Sequence, residues 1–486
     1  MIEEQVRIHD KYSLEIKMGF IASEKLQDNR FKMNIWMFIP NSLDINRFTY
    51  NKNDFYRDMR SNIRLITPVY TLKSILNNEN SPFSYLKKAF NQLIAQPNRT
   101  AKLDYEYQIK MFLSILKSSL RDEISDICSK ENAESRMHQV NEYVKHVPAI
   151  CKEYRQLRQI LDSPSIPTGL LEYYAFGDEF MSNLVEFYTF TLMDRLQKKH
   201  ITTYENVRLA LYNMLTKELA YKKSQGYLLI EEDSKQANHD FVFRLGMLKK
   251  YAESHLFLSI RKRKDGILAE QLLFSIAAGI SMIFATFIAF TMQQKYGSYT
   301  MPLFVGLVVS YMLKDRIKEF ARFYFAHKMG SRYFDHKIDM SINGTKIGWV
   351  KEGIDFVSES KIPAEVLKTR NRSSILEANN RASRERILLY RTQMRIDRSR
   401  LEENSQYLFD GVNSIIRLNV SQLIQKMDNA VFPLYYPNET DGFKMVKGEK
   451  IYYLNLVIQL QHEAQLEYHR YRVVFNRKGI KKLESF

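Results

Sequence analysis

Between Gln271 and Gln294 the chain carries no charged residue, reading QLLFSIAAGISMIFATFIAFTMQQ. At 1.5 Å per residue, a helix over this run crosses a hydrocarbon core of about 30 Å. It also satisfies its own backbone hydrogen bonds, as any segment in lipid must. A first membrane span is therefore expected over about 268–292. A second uncharged stretch, Tyr296–Leu313, opens with Gly297, Ser298 and Thr300 ahead of Pro302, a residue tolerated in the first turn of a helix. Its apolar part is short, but Lys314 and Arg316 can extend their side chains to the interface, so a second span is expected over about 299–316. Together the two make a two-helix transmembrane hairpin over 267–313. A re-entrant second segment is the alternative, and it would leave the C-terminal half on the opposite side.

Charge around the spans sets the orientation. Arg261, Lys262, Arg263 and Lys264 precede the first span, and Lys314, Arg316, Lys318, Arg322 and Lys328 follow the second. The loop near Gln293–Thr300 offers only Lys295. Under the positive-inside rule both flanks are cytoplasmic, giving a two-span protein of a plasma or inner membrane with both termini inside. Small residues recur every four positions at Ala277, Ser281, Ala285 and Ala289, with Ser275 and Gly279 as a second pair and Gly306 and Ser310 as a third. Such faces let helix backbones approach closely in lipid, either within the hairpin or between subunits. Apart from Glu270 at the edge of the first span, no charged residue lies inside either apolar run, 271–294 or 296–313, which argues against a transport path.

The rest of the chain is not a lipid-embedded protein. Of its 486 residues 26% are charged, and the formal net charge is +17. Residues 314–486 hold 31 Lys and Arg against 21 Asp and Glu, so the excess is spread along the chain. A diffuse positive field suits a bilayer with anionic headgroups, and less directly nucleic acid. Right after the second span, residues 314–330 mix Phe320, Phe323, Tyr324 and Phe325 with cations, the composition of a basic-aromatic juxtamembrane helix. The opening MIEEQVRIHD has no apolar core of a signal peptide. Two cysteines, Cys128 and Cys151, match no metal-binding spacing and suit a reducing compartment.

The expected fold class is a membrane-anchored α+β protein. Residues 1–50 read as a β-rich N-terminal segment, with Tyr12–Ile21 and Phe31–Ile39 as the strands of a hairpin and Glu24–Arg30 as its loop. Residues 51–262 read as a cytoplasmic helical domain, with helices over Asn53–Arg64, Pro82–Ile94, Ala101–Lys130, Ala133–Leu161, Gly169–Lys198, Thr203–Lys223 and Asp233–Arg261. The last of these is expected to feed the first span. Residues 331–486 read as a cytoplasmic α+β domain with an antiparallel sheet. Asn343-Gly344 marks a hairpin between Ile338–Ser341 and Thr345–Val350. Helix is expected around Pro363–Ser383 and Val412–Met427, and strands over Ile387–Ile396, Ile451–Leu460, Leu466–Asn476 and Gly479–Phe486.

Motifs with a known mechanism are missing: no G-x-x-x-x-G-K-[ST], G-x-G-x-x-G, H-E-x-x-H, EF-hand loop or G-x-S-x-G occurs. Three looser groupings remain. Asp335, His336 and Asp339, with His327 upstream, offer carboxylates and imidazoles that could bind a metal or share a proton, though polar residues beside a turn are the plainer reading. His462 and His469 flank a turn with Glu463 and Glu467 nearby. Arg381, Arg384, Arg386, Arg391, Arg395, Arg398 and Arg400 form a dense arginine stretch that suits an anionic ligand or lipid if it is not balanced by neighbouring acids. No metal or other cofactor is expected. The leading expectation is a non-enzymatic sensor, scaffold or effector that couples a cytoplasmic protein partner or ligand to the hairpin, as a possible homo-oligomer. A membrane-disrupting effector, a tethered enzyme on phosphorylated or lipid substrates, and a nucleic-acid binder are the alternatives.

Overall fold

The computed structural model describes residues 2–23, 26–77, 79–161, 168–198, 204–297, 300–330, 333–371, 385–403, 405–439 and 442–486. Two compact units emerge. Met1–Arg64, Leu258–Gln406 and Asp410–Phe486 form a sheet unit, and Leu65–Phe257 with Tyr407–Phe409 a helical unit.

The strands are β1 (Ile2–Asp10), β2 (Ser13–Ile21), β3 (Asp28–Ile39), β4 (Met59–Leu65), β5 (Ser259–Lys264), β6 (His336–Ile342), β7 (Thr345–Val357), β8 (Arg386–Asp397), β9 (Gly411–Asn419), β10 (Val431–Asn438), β11 (Gly442–Glu449), β12 (Tyr452–His462), β13 (Gln465–Asn476) and β14 (Gly479–Ser485). Eight of them make one antiparallel sheet in the order β14-β13-β12-β3-β8-β7-β6-β5. Four make a second, in the order β1-β2-β9-β4, and β10 pairs with β11 alone. The chain is thus a mixed α+β protein with antiparallel sheets.

The N-terminal strands do not pair with each other. β2 lies between β1 and β9, whereas β3 lies between β12 and β8. The segment near Glu24–Arg30 therefore passes between sheets instead of closing a hairpin. Residues 1–50 are in this way part of the same sheets as 385–486. The reason is apolar on both sides of β3. Phe31, Met33, Ile35 and Met37 are buried on one face, while Trp36 and Phe38 on the other pack with Ile362 and with Val366 of the short helix Ala364–Arg370. A strand buried on both faces suits a sheet interior better than an exposed hairpin.

Three helix assignments give way to strands. Asn53–Arg64 is the helix α1 (Lys52–Asp58), capped by the Asn51 side chain, followed directly by β4. Val412–Met427 is mostly β9, whose Val412, Ile416 and Leu418 pack inward; helix returns only at Ser421–Gln425. Val412, Ile415 and Ile416 stand at i, i+3 and i+4 and imitate helical spacing, but their β-branched side chains fit a pleated strand. The third is Asp233–Arg261, which ends early and gives way to β5. The β6–β7 turn matches expectation in detail: Asn343 and Gly344 take φ of 49° and 84°, both left-handed.

The helical unit holds α2 (Pro82–Ala95), α3 (Arg99–Ser129), α4 (Ala133–Gln156), α5 (Arg158–Leu161), α6 (Thr168–Lys198), α7 (Tyr204–Gln225) and α8 (Lys235–Glu253). Side chains of Ser81, Asn98, Asn132 and Ser234 cap α2, α3, α4 and α8. Phe90, Tyr105, Phe112, Tyr143, Tyr154 and Phe180 fill the core. Within it lies an ionic network. Arg155 reaches Asp178 at 3.1 Å and donates to Glu218 and Ser182, with its guanidinium 3.4 Å from the Tyr221 ring centre. Asp178 also accepts from the Tyr221 and Tyr227 hydroxyls, Lys222 pairs with Glu186, and Arg244 pairs with Glu179.

Candidate membrane anchor and the polar pocket at its foot

The uncharged run folds as part of α9 (Ile267–Tyr296), which is followed by α10 (Met301–Gly330). Among the described residues α9 is the one helix long and apolar enough to cross a membrane, and 11% of its most apolar window is buried. That low value separates it from the core helix of a water-soluble protein, whose apolar side chains are covered. Leu268, Ile283, Phe287 and Phe290 of α9 are largely exposed, as are Met301, Phe304 and Met312 of α10. The second expected span and the juxtamembrane helix are one continuous element. In α10 the apolar 301–313 runs without a break into the charged 314–328, so α10 as a whole is not a uniformly apolar rod.

α9 and α10 lie antiparallel. Ser310 Oγ donates to the Ala285 carbonyl at 3.1 Å, Gly306 lies against Met292, and the Arg322 guanidinium sits 5.5 Å from the Phe274 ring centre. Ala277, Ser281 and Ser310 are the buried residues of the pair. A Cβ on Gly306 would stand 3.2 Å from Met292 Cγ, so the glycine permits close approach. Ala285 and Ala289 are half-buried. Ser275 and Gly279 point away from the seam: nothing lies within 4 Å of a Cβ built at Gly279, and Ser275 bonds back to its own helix.

α9 starts from β5, not from a helix. β5 is the last strand of the eight-stranded sheet, and Gly266, with φ of 73°, turns the chain into α9. A side chain there would be strained and would meet Tyr333 Cδ1 at 2.7 Å. Around this turn is a cavity of about 380 Å³, lined by Lys52, Tyr56, Lys264, Glu270, Asp335 and His336 among others.

Asp335 is the hub of this pocket. Its carboxylate accepts from Lys52 Nζ at 2.6 Å, Tyr56 Oη at 3.0 Å and the Ile354 N–H at 2.8 Å. His336 packs edge-on to Tyr56 and lies 3.4 Å from Glu352. Glu352 is almost fully buried and also accepts from Lys262 at 2.6 Å and Tyr390 at 3.1 Å. Burial alone would raise the Glu352 carboxyl, but bonds from His336 and Lys262 and their charges outweigh it and hold it below the usual range. Burial, reinforced by the Asp335 charge, pushes the Tyr56 phenol well up, so it stays a donor. Each acid here is matched to a cation or hydroxyl. The arrangement is a fastening between α1, β5, β6 and β7, with no free carboxylate aimed into the cavity.

Asp339 is not in the pocket; it pairs with Arg263 and Lys346, whose charges overcome burial and keep it ionised below the usual range. Lys264 pairs with Glu270 of α9 at 2.6 Å. Arg261 is exposed, as is Arg316; Lys318 is half-buried, and Lys314 stacks on Tyr311. The arginine stretch is largely committed to neighbouring groups. Arg386 bonds Asn41, Arg391 pairs with Asp355, Arg395 with Asp28, Arg398 with Glu402 and Arg400 with Asp397. Arg381 and Arg384, and the side chain of His327, lie outside the described residues. His462 stacks on Phe31, and His469 bonds Glu4 at 2.8 Å, so these two histidines serve different places. Among the described residues no three His, Cys, Asp or Glu are grouped to hold a metal ion.

Sequence reasoning missed Lys52, Tyr56, Glu352 and Tyr390. Strand register alone brings Glu352 beside His336, and no local spacing announces it. The one local signal was Asp265-Gly266, a turn dipeptide between a basic run and an apolar one. A second opening, of about 780 Å³ in the helical unit, is floored by Val147, Cys151, Val185 and Met214, and its Arg155 and Glu218 are already bonded to each other. No family model, curated protein or solved structure matches the chain.

Proposed function

We propose that this chain is a membrane-anchored, non-enzymatic coupling protein, with α9 and α10 crossing the bilayer as a hairpin and both large units on the cytoplasmic side. The bare apolar surface of α9 carries this reading: water gives no account of so many uncovered Leu, Ile and Phe side chains. In support, the cations of β5 and of α10 flank the apolar part at one end, as the positive-inside rule requires. Phe320, Phe323 and Tyr324 are exposed beside the α10 cations, a composition suited to headgroups.

What the hairpin couples to is the sheet. α9 is tied through Gly266, the Lys264–Glu270 pair and the packed Tyr333 to a strand whose charges are fixed by β6 and β7. A displacement of the hairpin acts on that edge, and a partner or ligand seated on the sheet unit would act on the hairpin in return. The saturated carboxylates of the foot pocket favour such a mechanical role over a tethered enzyme.

The test is topology in native membranes. Carbonate extraction should leave the chain in the pellet, and Gly297→Cys should react with a membrane-impermeant maleimide only from the outer face. Release by carbonate ends the anchor reading. Labelling from the inner face ends the two-span form and leaves a re-entrant one.

A further inference from the structure

β10 and β11 stand apart from the larger sheets as a two-stranded arm. All of their sixteen residues are exposed apart from Asn438 and Gly448, which are half-buried. Its root is well fixed. Lys450 N–H donates to the Ala430 carbonyl at 2.9 Å, and the Lys450 ammonium and the Tyr452 hydroxyl both reach Asp428. Beyond that root the register places Tyr435, Met445 and Phe443 on one face and Phe432, Leu434 and Val446 on the other. Both faces are therefore apolar. A lone two-stranded hairpin is marginal in water and gains independent stability from further strands. Hydrocarbon is no substitute, because the outer edges would leave N–H and C=O groups without partners.

The two outer edges are not equivalent. Pro433 and Pro437 have no N–H, so their pairs with Lys447 and Phe443 are not the ones that exchange hydrogen bonds. The exchanging pairs are the alternate ones, among them Leu434 with Val446 and Tyr436 with Lys444. The groups facing outward on β10 then belong to Val431, Pro433, Tyr435 and Pro437, and half of these lack a donor. That edge is blunted. On β11 they belong to Phe443, Met445, Lys447 and Glu449, and every one has its N–H. The arm can extend by one strand only along β11.

That edge is complementary to itself. Read antiparallel about Met445, it sets Met445 opposite its own counterpart, Phe443 opposite Lys447, and Lys444 opposite Val446. Over Gly442–Gly448 no two like charges face each other, and each lysine lies against an aromatic or aliphatic side chain. The resulting order, β10-β11-β11-β10, ends at a proline-blunted edge on both sides, so assembly stops at two. We propose that the β11 edge is a dimerisation edge, on which β11 of a second copy pairs antiparallel across a twofold axis.

Tyr435 and Met445 are register partners within the arm, so proline at either one disturbs the arm alike, yet only Met445→Pro removes donors from the β11 edge. Full-length chain in detergent should be dimeric by light scattering. Met445→Pro should be monomeric and Tyr435→Pro still dimeric. In membranes, Met445→Cys should cross-link between copies with a short bismaleimide at least tenfold more than Tyr435→Cys; Cys128 and Cys151 are buried. A monomeric parent chain, an equal response of the two proline variants, or equal cross-linking of the two cysteine variants overturns the proposal. So does an arm that resists proteolysis only once anionic lipid vesicles are added, since lipid would then be its cover.

Discussion

α6 and α9 are helices of 31 and 30 residues with opposite insides. α6 buries Asp178, Glu179 and Glu186 and leaves Phe187 and Phe190 well exposed. α9 buries Ala277 and Ser281 and leaves Leu268, Ile283 and Phe287 bare. Each of these three α6 acids has a fixed cationic partner, which is the condition under which a buried charge is tolerated. Among the described residues the hairpin seam offers no such pair; its buried side chains are Ala277, Ser281 and Ser310, the two serines each bonded to a backbone carbonyl. One sequence thus builds two helical assemblies on opposite rules, as the proposed membrane anchor requires.

The comparison breaks first at Arg155. Arg155→Met leaves Asp178 and Glu218 buried without their guanidinium, and should cost about 3–5 kcal/mol in urea unfolding of the full chain. A small effect would mean that the network is not what holds the helical unit. Next comes Ile283→Lys. In water an exposed Ile→Lys change is worth under about 0.5 kcal/mol, whereas at a bilayer centre it costs about 3 kcal/mol. The membrane-retained fraction should fall sharply, while the unfolding midpoint of the helical unit stays put.

A third setting lies between these two, in the foot pocket. Glu352 is held below its ordinary carboxyl range when folded, so it stabilises the fold above that range and loses the contribution as pH falls through its lowered value. Glu352→Gln should cost about 1.5 kcal/mol at neutral pH, and its stability should depend less on acidification, so the two denaturation curves converge in acid. Parallel curves would separate Glu352 from the acid response. The smallest effect is expected at Ser310→Ala, which removes one bond across the hairpin seam and should cost about 0.6 kcal/mol, read from the reversible unfolding of the hairpin in mild detergent.

Elements governed by local chemistry were legible in advance. The uncharged run located α9, and Asn343-Gly344 located the β6–β7 turn. Elements governed by distant partners were not. β9 carries Val412, Ile415 and Ile416 at helical spacing, and its place between β2 and β4 makes it a strand. β5 reads as the tail of a helix because Arg261–Lys264 have fair helix propensity; pairing with β6 overrides it. The same holds at the site. Asp335 and His336 attract notice as neighbours in the chain, but Lys52, Tyr56 and Glu352 reach them from segments tens to hundreds of residues away. The arginine stretch invites a ligand reading until Asp28, Asp355 and Asp397 are found beside it.

β5 and β6 are neighbouring strands, with Lys264 opposite His336, and the Asp265 N–H continues the ladder to the Asp335 carbonyl at 3.4 Å. Everything between those positions leaves the sheet and returns to it one strand away. Such a segment is a cassette: its two ends sit about 5 Å apart, the span that an Asn-Gly turn closes between β6 and β7. If the proposed anchor is right, replacing the cassette by a turn that joins β5 to β6 should keep the strand pairs and let the sheet unit be handled in water without detergent.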